Sequence, residues 1–421
     1  MRQEQQLLGW LGGALLLATL PLAFNRTPEP VSVGKPARTA VVQKTTPAPA
    51  PVPKPEPQVP EFEHPLVAAA AASGQQPSTA TVTTVEDELA LAAEMGTWKT
   101  RDPRELVGVI SEAVREVETP MPMTFLLSIA HAETAGKVLA VSPAGAVGLA
   151  QATPFAYLGE GFTGKVFITN DYLVGTRAYV MKKPLGDAVK IAEVLLEDRS
   201  EKTRDRARTL LEAAFELRTE GMDELKVLEP HAPKVFWPRV EQADAYNLNI
   251  LRKVDRLIEA KASRAELKKF HKSVERDYRW LRNLQQRSWN RYMKDLIAER
   301  NRLLKREYGM KPEEVVKTRA YEAGEYLARE LDARFSAREM ARFLAAHVAT
   351  KQAQAEALGV APEEMAEWTA GLYNGGLHNI RRMRAGLISS LSETEHYMKR
   401  VANNRRKLDS VIPSGEEGFG K

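Results

Sequence analysis

The stretch Leu126–Tyr157, LLSIAHAETAGKVLAVSPAGAVGLAQATPFAY, holds the residues of this 421-residue chain best placed to do chemistry. Glu133 closes an apolar run, and no other Asp or Glu occurs from Thr134 to Gly159. A carboxyl group among apolar neighbours keeps its proton to higher pH, because desolvation disfavours the charged form. A general acid working near neutral pH requires that property. Most glycosidases pair such an acid with a second carboxylate, as nucleophile or as base toward water. One carboxylate suffices where the substrate supplies its own nucleophile. A lone Glu at a helix end is most often a surface residue, so type and spacing define a candidate and not a site. His131 lies two residues from Glu133, on nearly the opposite helix face, and reads as structural. The chain has no cysteine, which excludes a Cys nucleophile, a thiolate metal centre and a disulfide scaffold. No metal and no cofactor are expected.

The elements that would position Glu133 are helical. From Glu86 onward apolar residues recur at spacings of three and four. Pro103 follows Asp102 as a first-turn proline, and Leu106, Val107, Ile110 and Val114 share one face. After Pro120 and Pro122, Phe125, Leu126, Ile129 and Ala130 begin a second apolar helix that delivers Glu133 at its end. The stretch Gly145–Gly148 cannot be helix interior, and a short hairpin between Ser142 and Ala150 is the one strand signal. Further on, Ser263 and Glu266 form a capping box and Gly309 a stop, predicting a helix of about 45 residues and about 67 Å. Its stripe is Leu267, Phe270, Val274, Tyr278 and Leu281. The preceding segment has its own, Val240, Ala243, Leu248, Leu251, Val254 and Leu257. Two such stripes predict a long antiparallel hairpin, each burying the other.

Four segments, in order, resemble the catalytic domain of lytic transglycosylases of the soluble type. IAHAET (Ile129–Thr134) matches an apolar helix ending in the acid, and SPAGAVGLAQ (Ser142–Gln151) the glycine-rich second motif. LYNGG (Leu372–Gly376) matches the Tyr-Asn motif, and ETEHY (Glu393–Tyr397) a late motif ending in Tyr. The resemblance implies a lysozyme-like α+β catalytic fold and cleavage of the β-1,4 bond between N-acetylmuramic acid and N-acetylglucosamine in peptidoglycan. It implies that Glu133 protonates the leaving oxygen and then acts as base while the muramyl 6-hydroxyl closes a 1,6-anhydro ring. Gln151, Tyr373 and Asn374 match groove positions that orient the sugar or the acid. Ser142 and Gly148 match the loop facing the acid. Tyr397 matches the last motif, where a core role is equally open. The departures are Ala150 and Thr153 where methionine is usual, Thr134 for Ser, and Leu372 for Ala. The family's glycine-and-tyrosine helix matches either Asn170, Gly175 and Tyr179, or Gly324–Leu327. With the first, the catalytic domain comprises 100–182 and 336–410, and 183–335 is a basic helical insertion. The resemblance covers under 40% of the chain.

The expected fold class is thus mainly α: a lysozyme-like domain interrupted by a hairpin- or coiled-coil-like insertion, behind an N-terminal transmembrane helix and a Pro-rich linker. Leu7–Phe24 is an 18-residue run without a charge, about 27 Å as a helix and close to a bilayer's hydrocarbon thickness. It lacks a good A-x-A cleavage site, so residues 1–24 read as an uncleaved anchor. Eleven of the 25 prolines fall between Pro28 and Pro65, making 25–84 a semi-rigid, extended tether. The net charge of +5 hides an asymmetry: residues 251–310 hold 18 Lys or Arg against 8 Asp or Glu, a net of +10, leaving −5 elsewhere. With Phe270, Tyr278, Trp280, Trp289, Tyr292 and Tyr308 interleaved, that segment suits an anionic wall polymer, a lipid surface or an assembly partner; nucleic acid is not the expected partner. A solvated helix face with snorkelling Lys and Arg is the plainer account. The expected location is the inner membrane with the catalytic domain in the periplasm, or else secreted or virion-associated. The expected partners are peptidoglycan strands and, through the anchor, the membrane. The alternative functions are a non-catalytic peptidoglycan-binding assembly protein and a lysozyme-type hydrolase using water.

Overall fold

A computed structural model of the chain describes residues 85–98, 102–117, 119–388 and 392–411. The expected anchor (1–24) and Pro-rich tether (25–84) lie outside the described residues. Among the described residues no helix is long and apolar enough to cross a membrane. The fold is mainly α, as expected, and no strand occurs among the described residues. The hairpin expected between Ser142 and Ala150 is reduced to isolated antiparallel bridges, Val141 with Val147 and Val147 with Ala152. Gly145 (φ 74°) and Gly148 (φ 76°) turn the chain left-handed within this stretch, which keeps successive residues from pairing.

One layer of helices encloses the candidate acid. Helices α1 (Val85–Thr97), α2 (Pro103–Val117) and α3 (Met123–Thr134) lead into it. Leu106, Val107, Ile110 and Val114 of α2 are buried as the spacing predicts. Helix α3 is apolar almost all round and buried along its length, which places it at the centre. It packs against α2, α11 (Ala337–Ala357) and α14 (Ser392–Asp409), and α12 (Met365–Gly375) packs on α11 and α14. Ala135 (φ 53°) and Gly136 (φ 82°) end α3, the Ala135 N–H donating back to the His131 carbonyl at 2.8 Å. The short α4 (Pro154–Gly159) follows the glycine-rich loop, capped by the Thr153 hydroxyl accepting from the Ala156 N–H.

The second layer is built on α5 (Asn170–Glu197), α6 (Glu201–Leu225), α7 (Phe236–Glu259) and α8 (Arg264–Tyr308). Helix α8 has the predicted bounds, with the Ser263–Glu266 capping box and Gly309 in the left-handed region at φ 64°. It does not form a self-contained hairpin with α7. It runs antiparallel along α5, matching Asp171 with Arg291, Gly175 with Trp289, Lys182 with Gln285 and Gly186 with Tyr278. Helix α7 packs on α5 and α6. The buried face of α7 keeps Val240, Leu251 and Val254 of the expected stripe, while Asn247 and Ile258 are buried in place of Leu248 and Leu257. Asn247 is spent on α5, donating to the Met181 carbonyl at 2.9 Å one turn before Pro184.

The boundary expected after residue 182 falls inside α5. One apolar cluster joins Val138, Val147 and Tyr172 with Tyr292 and Leu296 of α8 and with Phe335 and Ala337. Residues 183–335 therefore share a core with the segments on either side. Helices α9 (Pro312–Thr318), α10 (Ala320–Glu330) and a 3-10 turn (Ala333–Phe335) return the chain to α11, and α13 (Leu377–Arg384) links α12 to α14. Because Tyr292 is wholly buried in that shared core, a chain lacking residues 183–335 is expected to lose the cooperative urea transition of the full chain, followed by circular dichroism. A sharp transition in the deletion variant would show that the flanking helices fold without it.

Candidate active-site groove

The last turn of α3 opens into a groove of about 500 Å³ lined by Glu133, Thr134, Ala135 and Lys137, by Gln151 across from them, and by Arg400 and Asn404 of α14. Helix α3 is apolar up to this point, so Glu133 is the first charged side chain that it carries. Burial pushes the Glu133 carboxyl up from 4.5 to about 7, and the negative Glu393 adds to this, while Tyr397 and Arg400 pull the other way. Desolvation wins because the carboxyl faces the helix cluster on one side and the groove on the other. At neutral pH a large share of molecules thus hold a proton at the groove wall. Among the described residues Glu133 is the only acidic one lining the groove.

The neighbouring positions hold that carboxyl in place. Thr134 donates to the carbonyls of Ala130 and Leu149, both at 3.3 Å, tying the end of α3 to the glycine-rich loop. Tyr373 of α12 donates to the Ala150 carbonyl at 2.7 Å from the other side. The rings of Tyr373 and Tyr397 are stacked 6.4 Å apart. Burial, and then the nearby Glu133, push both phenols well above their ordinary range, so they remain neutral donors. The Tyr397 hydroxyl is directed at Glu133, although no hydrogen bond of regular geometry joins them. Such bonds often tighten only when substrate is bound. His347 packs edge-on to Tyr373 at 5.1 Å and is itself held by the Glu160 carboxylate.

The sequence-derived residues separate into two groups. Glu133 and Gln151 line the groove, with Tyr373 and Tyr397 packed behind it. Gln151 adopts φ 48°, a costly conformation for a non-glycine residue, and its side-chain amide donates to the Gly148 carbonyl at 2.9 Å. Ser142 and Gly148 shape the loop and do not reach into the groove. The Ser142 hydroxyl accepts from the Ala146 N–H at 3.0 Å. A Cβ on Gly148 would sit 2.1 Å from the Arg334 carbonyl, so only glycine fits there. Asn374 is exposed and accepts from the Thr394 hydroxyl at 3.1 Å; it joins α12 to α14 and does not line the groove. His131 does line it, against expectation. The groove crosses the end of α3, where side chains leaving opposite faces both reach it. His131 meets Asn404 at 3.1 Å and the ring of Trp98 at 4.2 Å.

Beneath the loop lies a buried ion pair that pattern reading missed. Arg334 and Asp332 are both 0% exposed. Arg334 donates from Nε to Asp332 Oδ1 (2.9 Å) and from Nη2 to Asp332 Oδ2 (2.7 Å) and the Tyr292 hydroxyl (3.0 Å). From Nη1 it donates to the carbonyls of Ala152 (2.7 Å) and Gly145 (3.3 Å), so both ends of the glycine-rich loop hang on one guanidinium. Tyr292 in turn donates to the Phe167 carbonyl at 2.9 Å, and the Phe167 N–H donates to Asp332 at 3.0 Å. The available signal was an Asp-x-Arg pair inside the apolar run Leu331–Phe335.

Comparison with family models, with curated proteins and with solved structures returns no match. What the groove can do follows from its own groups: one protonated carboxyl, two neutral phenols behind it, two cations on the walls, and among the described residues no cluster able to hold a metal ion.

Two outcomes are expected. Replacing Arg334 by Met leaves Asp332 charged and buried alone, so Arg334→Met should lower the unfolding free energy by about 3–5 kcal/mol in urea titrations. The second concerns Glu133. Its pKa is higher folded than unfolded, so its contribution is fully present below about 4.5 and is lost as pH rises through about 7. The Glu133→Gln variant escapes that loss. Its melting temperature relative to wild type should be more favourable at pH 8 than at pH 4, and an unchanged difference would contradict the buried carboxyl.

Proposed function

We propose that this chain is a peptidoglycan lytic transglycosylase, a glycan-strand lyase with a lysozyme-like catalytic region. The observation that carries the reading is Glu133: a carboxyl held near a pKa of about 7, lining an open groove in which it is the only acid among the described residues. Most hydrolytic glycosidases use a second carboxylate to activate water or to attack. A groove with one acid suits a substrate that brings its own nucleophile, and the muramyl 6-hydroxyl is such a group. The four motif segments add to this, since each supplies a residue at or around the same acid: Glu133 itself, Gln151 with Ala150, Tyr373 and Tyr397.

In the proposed reaction Glu133 gives its proton to the glycosidic oxygen as the C1–O bond of N-acetylmuramic acid breaks. The 6-hydroxyl oxygen then bonds to C1 and its proton returns to Glu133. The acid is regenerated, and no water, metal or cofactor is consumed. Tyr397 hydrogen-bonds the carboxylate that exists between the two proton transfers, and Gln151 orients the sugar. The apolar Leu7–Phe24 supports an anchor in the inner membrane, and the proline-rich tether supports reach across the periplasm toward the wall. The +10 segment 251–310 supports an anionic neighbour in the envelope. Trp280 is the one exposed aromatic of its six, at 53%.

Digestion of purified sacculi by the full chain is expected to release 1,6-anhydromuropeptides, read by mass spectrometry. Glu133→Gln should lower the rate at least about 100-fold, and the wild-type kcat/KM should decline as pH rises through about 7. Reducing ends in place of anhydro ends would assign water as the nucleophile. Binding to sacculi without turnover in either protein would assign a wall-anchoring role.

A further inference from the structure

The groove walls carry two cations for which the acid chemistry has no use. Lys137 follows the left-handed turn that ends α3, and Arg400 lies on α14. Neither is in an ion pair among the described residues, whereas Arg338, Arg342 and Arg381 are each matched to a carboxylate. On α14 the residues Glu393, Tyr397, Arg400 and Asn404 recur at spacings of four, three and four, the stripe of a single helix face. Tyr397 and Asn404 are buried while Arg400 is exposed, so Arg400 borders the packed seam and overlooks the groove. Its guanidinium sits over the Tyr397 ring, 5.5 Å from the centroid, which holds the side chain in place and leaves its N–H fork free. Arg400 and Glu393 both act on the Glu133 carboxyl, so they lie close to the reacting position, yet Glu393 does not line the groove. When Glu133 holds its proton, the described residues of the groove wall therefore bear positive charge and no negative charge.

We propose that Arg400, assisted by Lys137, binds a carboxylate of the substrate, so that the glycan preferred at this groove is an acidic amino-sugar strand and not a neutral one. This rests on the glycan reading above and deepens it by naming the group recognised. A planar fork beside the acid matches a carboxylate bidentately and sets the register of the sugar against Glu133. In a peptidoglycan strand that carboxylate is either on the stem peptide or, where the peptide has been removed, the free lactyl group of the muramyl residue.

The test measures binding of the full Glu133→Gln chain, in detergent micelles, to three soluble strands of equal length. One bears stem peptides, one is stripped of peptide with the lactyl carboxylates free, and one is stripped with those groups converted to neutral methylamides. The chain should bind a charged strand about 10- to 100-fold more tightly than the methylamide. The better of the two charged strands identifies the source. Adding Arg400→Ala should abolish most of the preference, and Arg400→Lys should keep part of it. A preference that survives Arg400→Ala, or no preference at all, overturns the proposal. Turnover is followed separately with wild-type Glu133. Anhydro products formed without charge preference would remove this inference alone, whereas a charge preference in binding with no turnover would remove the enzymatic reading and leave the carboxylate site standing.

Discussion

A guanidinium with no access to water must find protein partners for a full positive charge and five N–H donors. Arg334 finds them in Asp332, in the hydroxyl of Tyr292 and in the carbonyls of Gly145 and Ala152. Burial alone would favour its neutral form, but Asp332 and Tyr292 outweigh that and keep it charged. The partners come from three parts of the chain, so the glycine-rich loop, α8 and the segment before α11 have to be placed together. None of them can move away without leaving a buried N–H donor, or the charge itself, without a partner. The glycines answer the same constraint. A Cβ on Gly145 would sit 2.2 Å from the Tyr292 ring, and one on Gly148 would meet the Arg334 carbonyl.

The acid end of the groove follows from that anchorage. With the loop held, Leu149 and Ala150 present carbonyls to Thr134 and Tyr373, and the end of α3 is locked against the loop that faces it. Glu133 is then left at the border between a dense helical core and an open groove. Its raised pKa is a property of that border and not of any one neighbour. The long basic helix is accordingly part of the architecture that holds the groove. Its Tyr292 supports the loop from below, and Arg300 donates to the Leu139 carbonyl at 3.0 Å.

Much of this was legible in residue order because it depends on neighbours a few positions apart. The capping box at Ser263, the stop at Gly309, the buried face of α2 and the delivery of Glu133 at a helix end all express local periodicity and end chemistry. Other features depend on which helix lies beside which. The two amphipathic stripes of α7 and α8 suggested mutual burial; they do meet in one apolar cluster, but α5 and α6 share it, because an apolar stripe specifies that it must be covered and not by what. His131 was assigned to the far side of α3 by its angular offset, but offset ceases to discriminate at a helix end. Asp332 and Arg334 resembled surface charges, since sequence cannot show that three distant acceptors converge on one guanidinium.

By itself the sequence determined the helical class, the bounds of α8, the glycine-rich turn and the solitary acid at its edge. Each of these is set by the conformational preferences of a residue and its near neighbours along the chain. Only the tertiary structure decided that 183–335 shares a core with its flanks, that Glu133 is desolvated enough to stay protonated near neutrality, and that Arg400 rather than Asn374 overlooks the groove. Burial, dielectric environment and convergence of charges are properties of space. They appear only when segments more than a hundred residues apart are brought within a few ångströms.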